Sequence, residues 1–132
     1  MRRSVSGAVF VALTACGTLP PQGMRLAGTE WRVSAINGRA TPPGPVAYSM
    51  SFEAARLGAR FGCNSIGGSY RLTGSTLTTD ALVMTEMACS EPAASFESQG
   101  AAILMQPMAI GPGGARMTLS NRAGVIELVR GN

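Results

Sequence analysis

The sequence contains no histidine and no lysine, and only 14% of its 132 residues are charged. The absence of histidine removes the most common general base and metal ligand, and with it serine–histidine, cysteine–histidine and histidine–zinc sites. Every positive charge is an arginine, and those beyond Arg3 are scattered from Arg25 to Arg130. A nucleic-acid-binding protein clusters such charges. We therefore expect no enzyme activity, no metal, no cofactor and no nucleic-acid partner.

Glycine and proline are abundant, with 17 and 8 residues, and 45% of the residues are hydrophobic. This composition favours short strands joined by many turns, and it supplies enough apolar surface for one core. A chain of this length has room for one domain. The composition therefore predicts a single, small, mostly β domain.

The first sixteen residues have the organisation of a bacterial lipoprotein signal peptide. Arg2 and Arg3 supply a positive start, and residues 5–15 are uncharged and largely apolar. This stretch is too short to span a bilayer, which takes about 20 residues. It ends in Leu13-Thr14-Ala15-Cys16, which resembles a lipobox. We expect residues 1–15 to be removed as the signal peptide and Cys16 to be lipidated. The alternative is an ordinary signal peptide that happens to contain a cysteine.

The residues after the predicted cleavage site form a short tether. Residues 16–25 comprise the lipidated cysteine and a flexible segment containing proline and glycine, with a reach of at most about 30 Å. The domain of residues 26–132 is therefore expected to lie close to the membrane. Gly17 follows the cysteine in place of aspartate, and by resemblance to enterobacterial sorting rules this favours the outer over the inner membrane. We expect a periplasm-facing, lipid-anchored protein.

Beyond Leu26, apolar residues recur at every second position with frequent breaks, which is typical of short strands. The first predicted strand, 29–35, ends at the Asn37-Gly38 turn. The other predicted strands are 48–52, 59–61, 69–72, 76–79, 116–119 and 125–130, and residues 81–87 are read as strand or irregular structure.

One helix is predicted after the central strands. Ser90 is the candidate N-cap, Pro92 suits the first turn, and apolar residues then recur at helical spacing until Pro107. Short strands that follow one another along the chain indicate antiparallel pairing. The predicted fold is mainly β, of the α+β class: an antiparallel, barrel-like curled sheet of about 7–8 short strands with one helix after the central strands.

Two further cysteines, Cys63 and Cys89, lie within the predicted domain. In an exported protein they most simply form a disulfide. Closing a loop of this length would stabilise the fold by roughly 3–4 kcal/mol in the chain-entropy model. Two free thiols or a catalytic cysteine remain the alternatives, although no Cys-x-x-Cys motif or histidine is present to lower a thiol pKa.

Three stretches around these residues resemble the META/HslJ domain family of bacterial envelope lipoproteins. They are the segment Leu26-Ala27-Gly28-Thr29-Glu30-Trp31-Arg32-Val33, the pair Gly62-Cys63-Asn64 and Gly68-Ser69-Tyr70, and the segment Thr85-Glu86-Met87-Ala88-Cys89. Their order and spacing, followed by a helix and a closing hairpin, extend the resemblance over residues 26–130. The resemblance implies an antiparallel barrel-like sheet with one helix. It supplies no catalytic residues.

The motif residues are expected to be structural. Gly62 and Gly68 suit turns or bulges, and Asn64 is expected to bond local backbone in a turn. Met84 and Met87 are expected to fill the core. The complete set of motif positions is Gly28, Thr29, Trp31, Gly62, Asn64, Gly68, Tyr70, Met87 and Ala88. The carboxylates Glu86 and Glu91 lack the companion base that an acid pair needs for catalysis.

The resemblance also implies a role for the protein. Members of the family are linked to heat-shock induction and novobiocin tolerance, and the fold resembles that of a partner-binding lipoprotein pilotin of type III secretion. We expect a monomeric, non-enzymatic lipoprotein that binds a protein or peptide partner in envelope stress or antibiotic tolerance. The alternative is a carrier of a small apolar ligand within the curled sheet. A sheet interior filled by aromatic side chains would argue against a carrier.

Overall fold

The computed structural model describes residues 7–8 and 25–131. Cys16, nearly all of the predicted signal peptide and most of the predicted tether lie outside the described residues. No helix in the described part of the chain combines the length and the apolar character needed to cross a bilayer. The predicted domain is described almost in full. Its elements are β1 (Thr29–Ile36), β2 (Arg39–Ala40), β3 (Tyr48–Phe52), β4 (Arg56–Phe61), β5 (Ser65–Thr73), β6 (Thr76–Met84), α1 (Ala93–Leu104), β7 (Met108–Ile110), β8 (Arg116–Asn121) and β9 (Gly124–Arg130).

Eight of these strands close into an antiparallel barrel. Their order is β1-β3-β4-β5-β6-β7-β8-β9, and β9 pairs back onto β1. β2 lies outside this closed set and pairs only with the end of β1, where Ala35 faces Ala40 and Ile36 faces Arg39. The predicted fold class, a mainly β, antiparallel and barrel-like sheet with one helix, is confirmed.

The barrel interior is filled by the side chains that alternate inward along each strand. In β1, Trp31 and Val33 are buried while Glu30 and Arg32 are exposed, as period two predicts. The aromatic residues of the interior are fully or nearly buried, and they are Trp31, Tyr48, Phe52, Phe61 and Tyr70. Each such side chain contributes about 1.5–3 kcal/mol when it leaves water. The core therefore lies inside the barrel itself.

The helix closes one end of the barrel. Its buried residues include Phe96, Gly100 and Ile103, and its contacts are with β1, β4 and β9. A Cβ atom at Gly100 would lie 2.6 Å from the ring of Phe61, so only glycine allows the helix to approach this closely. At the C-terminal end of the helix, the Asn121 side chain donates a hydrogen bond of 2.8 Å to the carbonyl of Ile103. We call this end of the barrel the helix end.

The predicted N-cap of the helix is wrong. Pro92 occupies the cap position, and its own side chain makes no capping hydrogen bond. The Ser90 carbonyl, not its hydroxyl, accepts a hydrogen bond from Ala94 N. The Glu91 carboxylate accepts hydrogen bonds from the backbone N and the hydroxyl of Ser95, at 3.3 and 2.7 Å. A carboxylate near the positive end of the helix dipole thus takes over the role of the expected cap.

The opposite end of the barrel is where residues 25–28 lead into β1, and we call it the entry end. Leu26 is buried there, and its carbonyl accepts a hydrogen bond of 2.6 Å from the Thr29 hydroxyl. That hydroxyl in turn accepts a hydrogen bond from the indole Nε1 of Trp31 at 2.8 Å. The Tyr70 hydroxyl donates to the carbonyl of Glu53 at the same end. These contacts fix the path of the chain as it enters the barrel.

The pairings of β7 with β6 and with β8 are the shortest in the barrel wall, with two residue pairs each. Only Thr76 and Leu77 of β6 pair with β7. Beyond them β6 continues to Met84 beside β5, and within residues 25–131 no strand pairs with its other edge. The C-terminal turn of the helix lies beside the lower part of this edge, where the Thr79 hydroxyl donates to the carbonyl of Leu104 at 2.5 Å. The barrel is therefore closed near the entry end and open along part of one edge near the helix end.

Candidate functional site

The Gly62-Cys63-Asn64 motif forms the connection between β4 and β5 at the helix end. Gly62 has a φ of +100°, a backbone conformation that residues other than glycine rarely adopt. A Cβ atom there would lie 2.6–2.7 Å from the phenol of Tyr48. The motif therefore requires glycine both for its backbone conformation and for space. The resulting turn brings Cys63 and Asn64 beneath the helix.

Asn64 is buried and joins three parts of the chain. Its side-chain Nδ2 donates to the Glu97 carboxylate at 2.9 Å and to the carbonyl of Met87 at 3.2 Å. Its Oδ1 accepts from Met87 N at 2.7 Å and from the Thr85 hydroxyl at 2.9 Å. The expectation of local turn bonding is therefore wrong: these partners lie more than twenty residues away. Asn64 fastens the segment after β6 to the β4–β5 connection and to the helix.

Glu97 is the anionic member of this cluster, and its side chain is only 8% exposed. Its Oε1 accepts a hydrogen bond of 2.6 Å from the backbone N of Asn64, and its Oε2 accepts the Nδ2 bond. The sequence reading did not single out Glu97. Residues 97, 100 and 104 recur at helical spacing on the buried face of the helix. The presence of a glutamate among these positions was the signal in the sequence that could have identified Glu97 as a buried carboxylate.

Cys63 and Cys89 form a disulfide beside this carboxylate, with their Cα atoms 6.0 Å apart. This pairing confirms the predicted disulfide. The Cys89 sulfur lies 3.7 Å from Glu97 Oε2, but a disulfide sulfur carries no proton, so this is a packing contact. The two sulfurs and the Glu97 carboxylate could bind a metal ion only as thiolates plus carboxylate. With the sulfurs bonded to each other, the cluster is a structural clamp.

The clamp, defined as Cys63, Asn64, Cys89 and Glu97, holds the segment after β6 in place. A hydrogen bond to a buried charged group contributes about 1.5–3 kcal/mol, and a disulfide typically 2–4 kcal/mol. The Gly62-Cys63-Asn64 motif thus has a structural explanation. It fixes residues 85–89, which form no strand of their own, against the barrel.

The residues just before and within this segment present apolar side chains to solvent. Val83 is 72% exposed, Met84 43% and Met87 55%. The expectation that Met84 and Met87 fill the core is wrong. Both lie where β6 has left β7, so no layer covers them, and Met87 is held outside the barrel by its backbone bonds to Asn64. We call residues 83–87 the exposed segment.

The other motif residues lie at the entry end, along the wall or, for Ala88, beside the clamp. Gly28, with a φ of +80°, donates its N–H to the carbonyl of Phe52 at 2.7 Å. Gly68 lies at a β-bulge between β5 and β6. Ala88 is exposed beside the clamp, and Glu86 and Glu91 are exposed carboxylates. Thr29, Trp31 and Tyr70 belong to the entry-end contacts described above. Apart from Gly68 in the wall, the motif positions therefore form two separate groups, one at each end of the barrel.

Burial also affects the two tyrosines of the core. Desolvation raises the pKa of Tyr48 above its usual value of 10.0, although the charge of Arg39 partly offsets this effect. Desolvation raises the pKa of Tyr70 in the same way. Both phenols therefore stay protonated at neutral pH. They act as packing and hydrogen-bonding groups and not as bases.

The surface grooves of the described residues lie outside the barrel interior. One groove at the entry end is lined by Arg25, Leu26, Tyr70, Arg71 and Leu72 among others. Another runs along β3 and the loop before it and includes Val46 and Met50. In the described part of the chain, no groove leads to a chamber between Phe52, Phe61 and Tyr70, because these side chains fill the space.

The fold is similar to that of two proteins of known structure. A protein from Burkholderia xenovorans, solved by NMR, matches with a TM-score of 0.67 and 22% identity, over 80% of this chain and 83% of that one. A second NMR structure matches with a TM-score of 0.71 and 19% identity, over 79% of this chain and 90% of that one. At these identities the likeness concerns the fold alone. No curated protein matches the chain. The family model of the META domain matches residues 24–130.

Proposed function

Because the chain belongs to the META domain family, we propose that it is a non-enzymatic lipoprotein of the bacterial envelope that binds a protein partner. In this proposal Cys16 carries the lipid and holds the domain on the periplasmic side of a membrane, with the outer membrane favoured over the inner. The partner is bound in envelope stress or antibiotic tolerance. The lipobox-like sequence before Cys16 supports the anchor, and the helix end of the barrel supports partner binding.

Partner binding is supported by two neighbouring features: the edge of β6 that faces away from β5, and the exposed segment. From Thr78 to Met84 the edge of β6 away from β5 has no strand beside it within the described residues. Such an edge presents unpaired backbone donors and acceptors, which an extended peptide can pair with as an added strand. Val83 and Met84 then offer apolar contacts beside the new strand. Methionine side chains adapt to partners of varied shape.

A site-specific crosslinking experiment tests partner binding. A photoreactive phenylalanine analogue replaces Val83 in one strain and Val46 in another. Val46 is a matched control, because it is also an exposed valine but lies in the loop before β3. We expect a discrete crosslinked species from position 83 in cells under heat or novobiocin stress, and none from position 46. Replacing Met84 by lysine in the position-83 strain should abolish it, because lysine on an edge opposes strand addition. Equal products from both positions would refute the proposal.

The anchor has its own test. Cells grown with an alkyne-bearing fatty acid should label the protein, and Cys16→Ala should remove the label completely. Retention of the label in Cys16→Ala would contradict lipidation at this residue. Cys63 and Cys89 are joined to each other, so neither offers a competing thiol.

The alternative function, a carrier of a small apolar ligand, has less support. A carrier of this kind needs a chamber, as in those eight-stranded barrels whose interior holds a small ligand in place of side chains. Here the interior is occupied by Phe52, Phe61, Tyr70 and their neighbours. A fatty acid or another small apolar ligand is therefore expected to leave the melting temperature unchanged. A saturable rise in the melting temperature would favour the carrier.

A further inference from the structure

Five of the nine arginines within residues 25–131 lie at one end of the folded barrel. Strand boundaries and pairing place five exposed arginines at the entry end: Arg25, Arg56, Arg71, Arg116 and Arg130. The carboxylates at this end are Glu30, Glu53 and Asp80, which leaves a net charge of +2 there. Asp80 lies across β5 from Arg56 and lines a groove with Arg71, and Arg32 lies midway along β1 between the two ends.

The helix end has the opposite balance. Its arginines are Arg39, Arg60 and Arg122, and its carboxylates are Glu86, Glu91, Glu97 and Glu127. The barrel is therefore electrically polar along its length, with the positive end at the point where the chain enters. A charge separation of this kind orients a protein near a charged surface.

Two of the entry-end arginines share one groove. Arg25 and Arg71 line it together with Leu26, Tyr70 and Leu72. Both arginine side chains are exposed. A guanidinium group presents a planar set of donors that matches phosphate oxygens, and the apolar residues of the groove can support the arginine stems. The groove thus has the composition expected of a site for a phosphodiester beside apolar chains.

The groove lies where the predicted tether ends, and this position indicates which ligand the groove can reach. The residues before Arg25 connect the groove to Cys16 over a reach of at most about 30 Å. A membrane attached at Cys16 therefore holds phospholipid headgroups within reach of the groove at a high effective concentration. This step rests on the proposed function, because it takes Cys16 as the lipid anchor.

We propose that the entry end of the barrel docks on the anionic phospholipid surface of the membrane that holds the lipid anchor, with a headgroup phosphate between Arg25 and Arg71. Docking places β1, β3 and β9 with their entry-end residues toward the membrane and the exposed segment away from it. The domain is then held in one orientation and does not tumble freely on its tether.

The single tryptophan provides the measurement. Trp31 lies at the entry end, bonded to Thr29, with the Arg130 guanidinium 5.3 Å from its ring. The full protein, matured in bacteria, is reconstituted on vesicles that carry a nitroxide on a fraction of the headgroups. A nitroxide quenches tryptophan fluorescence only at short range. We expect strong quenching on vesicles containing phosphatidylglycerol and weak quenching on pure phosphatidylcholine, with the difference removed by 0.5 M salt, at which the Debye length falls to roughly 4 Å.

Matched double variants separate the groove from net charge. Arg25→Gln with Arg71→Gln removes two charges at the entry end, and Arg60→Gln with Arg122→Gln removes two at the helix end. A basic residue near an anionic surface strengthens binding about fivefold, so the first variant should shift the docked-to-undocked ratio roughly 25-fold. The second should leave quenching unchanged. Equal quenching on both lipid compositions, or equal effects of the two variants, would overturn the proposal.

Flotation of the same samples keeps this inference separate from the proposed anchor. A lipid-anchored protein floats with phosphatidylcholine vesicles whether or not its entry end docks. Failure to float with them refutes the anchor, and in that case binding to phosphatidylglycerol vesicles alone would still support the arginine-rich surface. Flotation without any lipid-dependent quenching refutes the docking alone.

Discussion

The clamp between Asn64 and Glu97 makes a quantitative prediction about stability. Asn64→Ala removes the Nδ2 bond to the Glu97 carboxylate, both bonds to Met87 and the bond from the Thr85 hydroxyl, which is also at the surface. The bond to the buried carboxylate dominates, because Met87 lies at the surface where water can replace its partners. A charged hydrogen bond contributes about 1.5–3 kcal/mol, so we expect a loss of about 2–3 kcal/mol. For a domain of this size that corresponds to a fall in melting temperature of roughly 10–20 °C.

Glu97→Gln tests the other side of the same bond. The glutamine oxygen can still accept from Asn64 N, but its amide then faces the Asn64 amide donor, so a loss of about 1–2 kcal/mol is expected. Glu86→Gln is the matched control, because Glu86 is exposed, and it should change stability by less than about 0.5 kcal/mol. Urea unfolding with the disulfide kept intact measures all three variants.

The double variant decides whether the two residues act together. Because Asn64 and Glu97 share one interaction, their combined loss should fall short of the sum of the single losses by at least about 1 kcal/mol. Strict additivity, or an Asn64→Ala variant as stable as Glu86→Gln, would refute the clamp. The hydrogen bonds of Asn64 would then contribute little to the stability of the fold.

Three further outcomes follow from the same structure. Replacing Cys63 and Cys89 by serine should lower the free energy of unfolding by about 2–4 kcal/mol, measured in urea, and no loss would show that the disulfide is incidental. Gly100→Ala should cost at least about 1–3 kcal/mol, because its Cβ would overlap the Phe61 ring, and an unchanged melting temperature would contradict this close approach. Burial raises the pKa of Tyr48, so the folded state holds this proton more tightly than the unfolded chain. This stability is fully present below about pH 10 and should be lost as the pH rises further, which an alkaline unfolding series can follow.

Most of the fold could be predicted because the strands that carry it alternate cleanly. β3 shows period two over its whole length and β1 shows it as far as Val33, beyond which an irregularity shifts the register; the Asn37-Gly38 turn marks where β1 ends. β4 and β5 were predicted too short, because Gly58 and Gly67 interrupt the apolar pattern although they continue the strands. β7 was not predicted, since three residues cannot show a period.

The candidate site was harder to predict because its partners are distant in sequence. The motif residue Asn64 was identified, but its partners Met87 and Glu97 are brought to it only by the fold. The exposure of Met84 was missed for a related reason. Its burial depends on whether a strand lies beside the end of β6, and the local sequence does not contain that information.

The separation of the entry end from the exposed segment sets a height above the membrane. β5 has nine residues, which at roughly 3.3 Å each span about 30 Å along the strand, and a strand tilt of about 35–45° reduces the height of the barrel wall to roughly 20–25 Å. A protein docked through its arginines would hold residues 83–87 at about that distance from the lipid. A partner embedded in the same membrane would then be met by diffusion in two dimensions, at a fixed elevation. Only partners that project to this height would be sampled, so the length of the barrel would itself select among them.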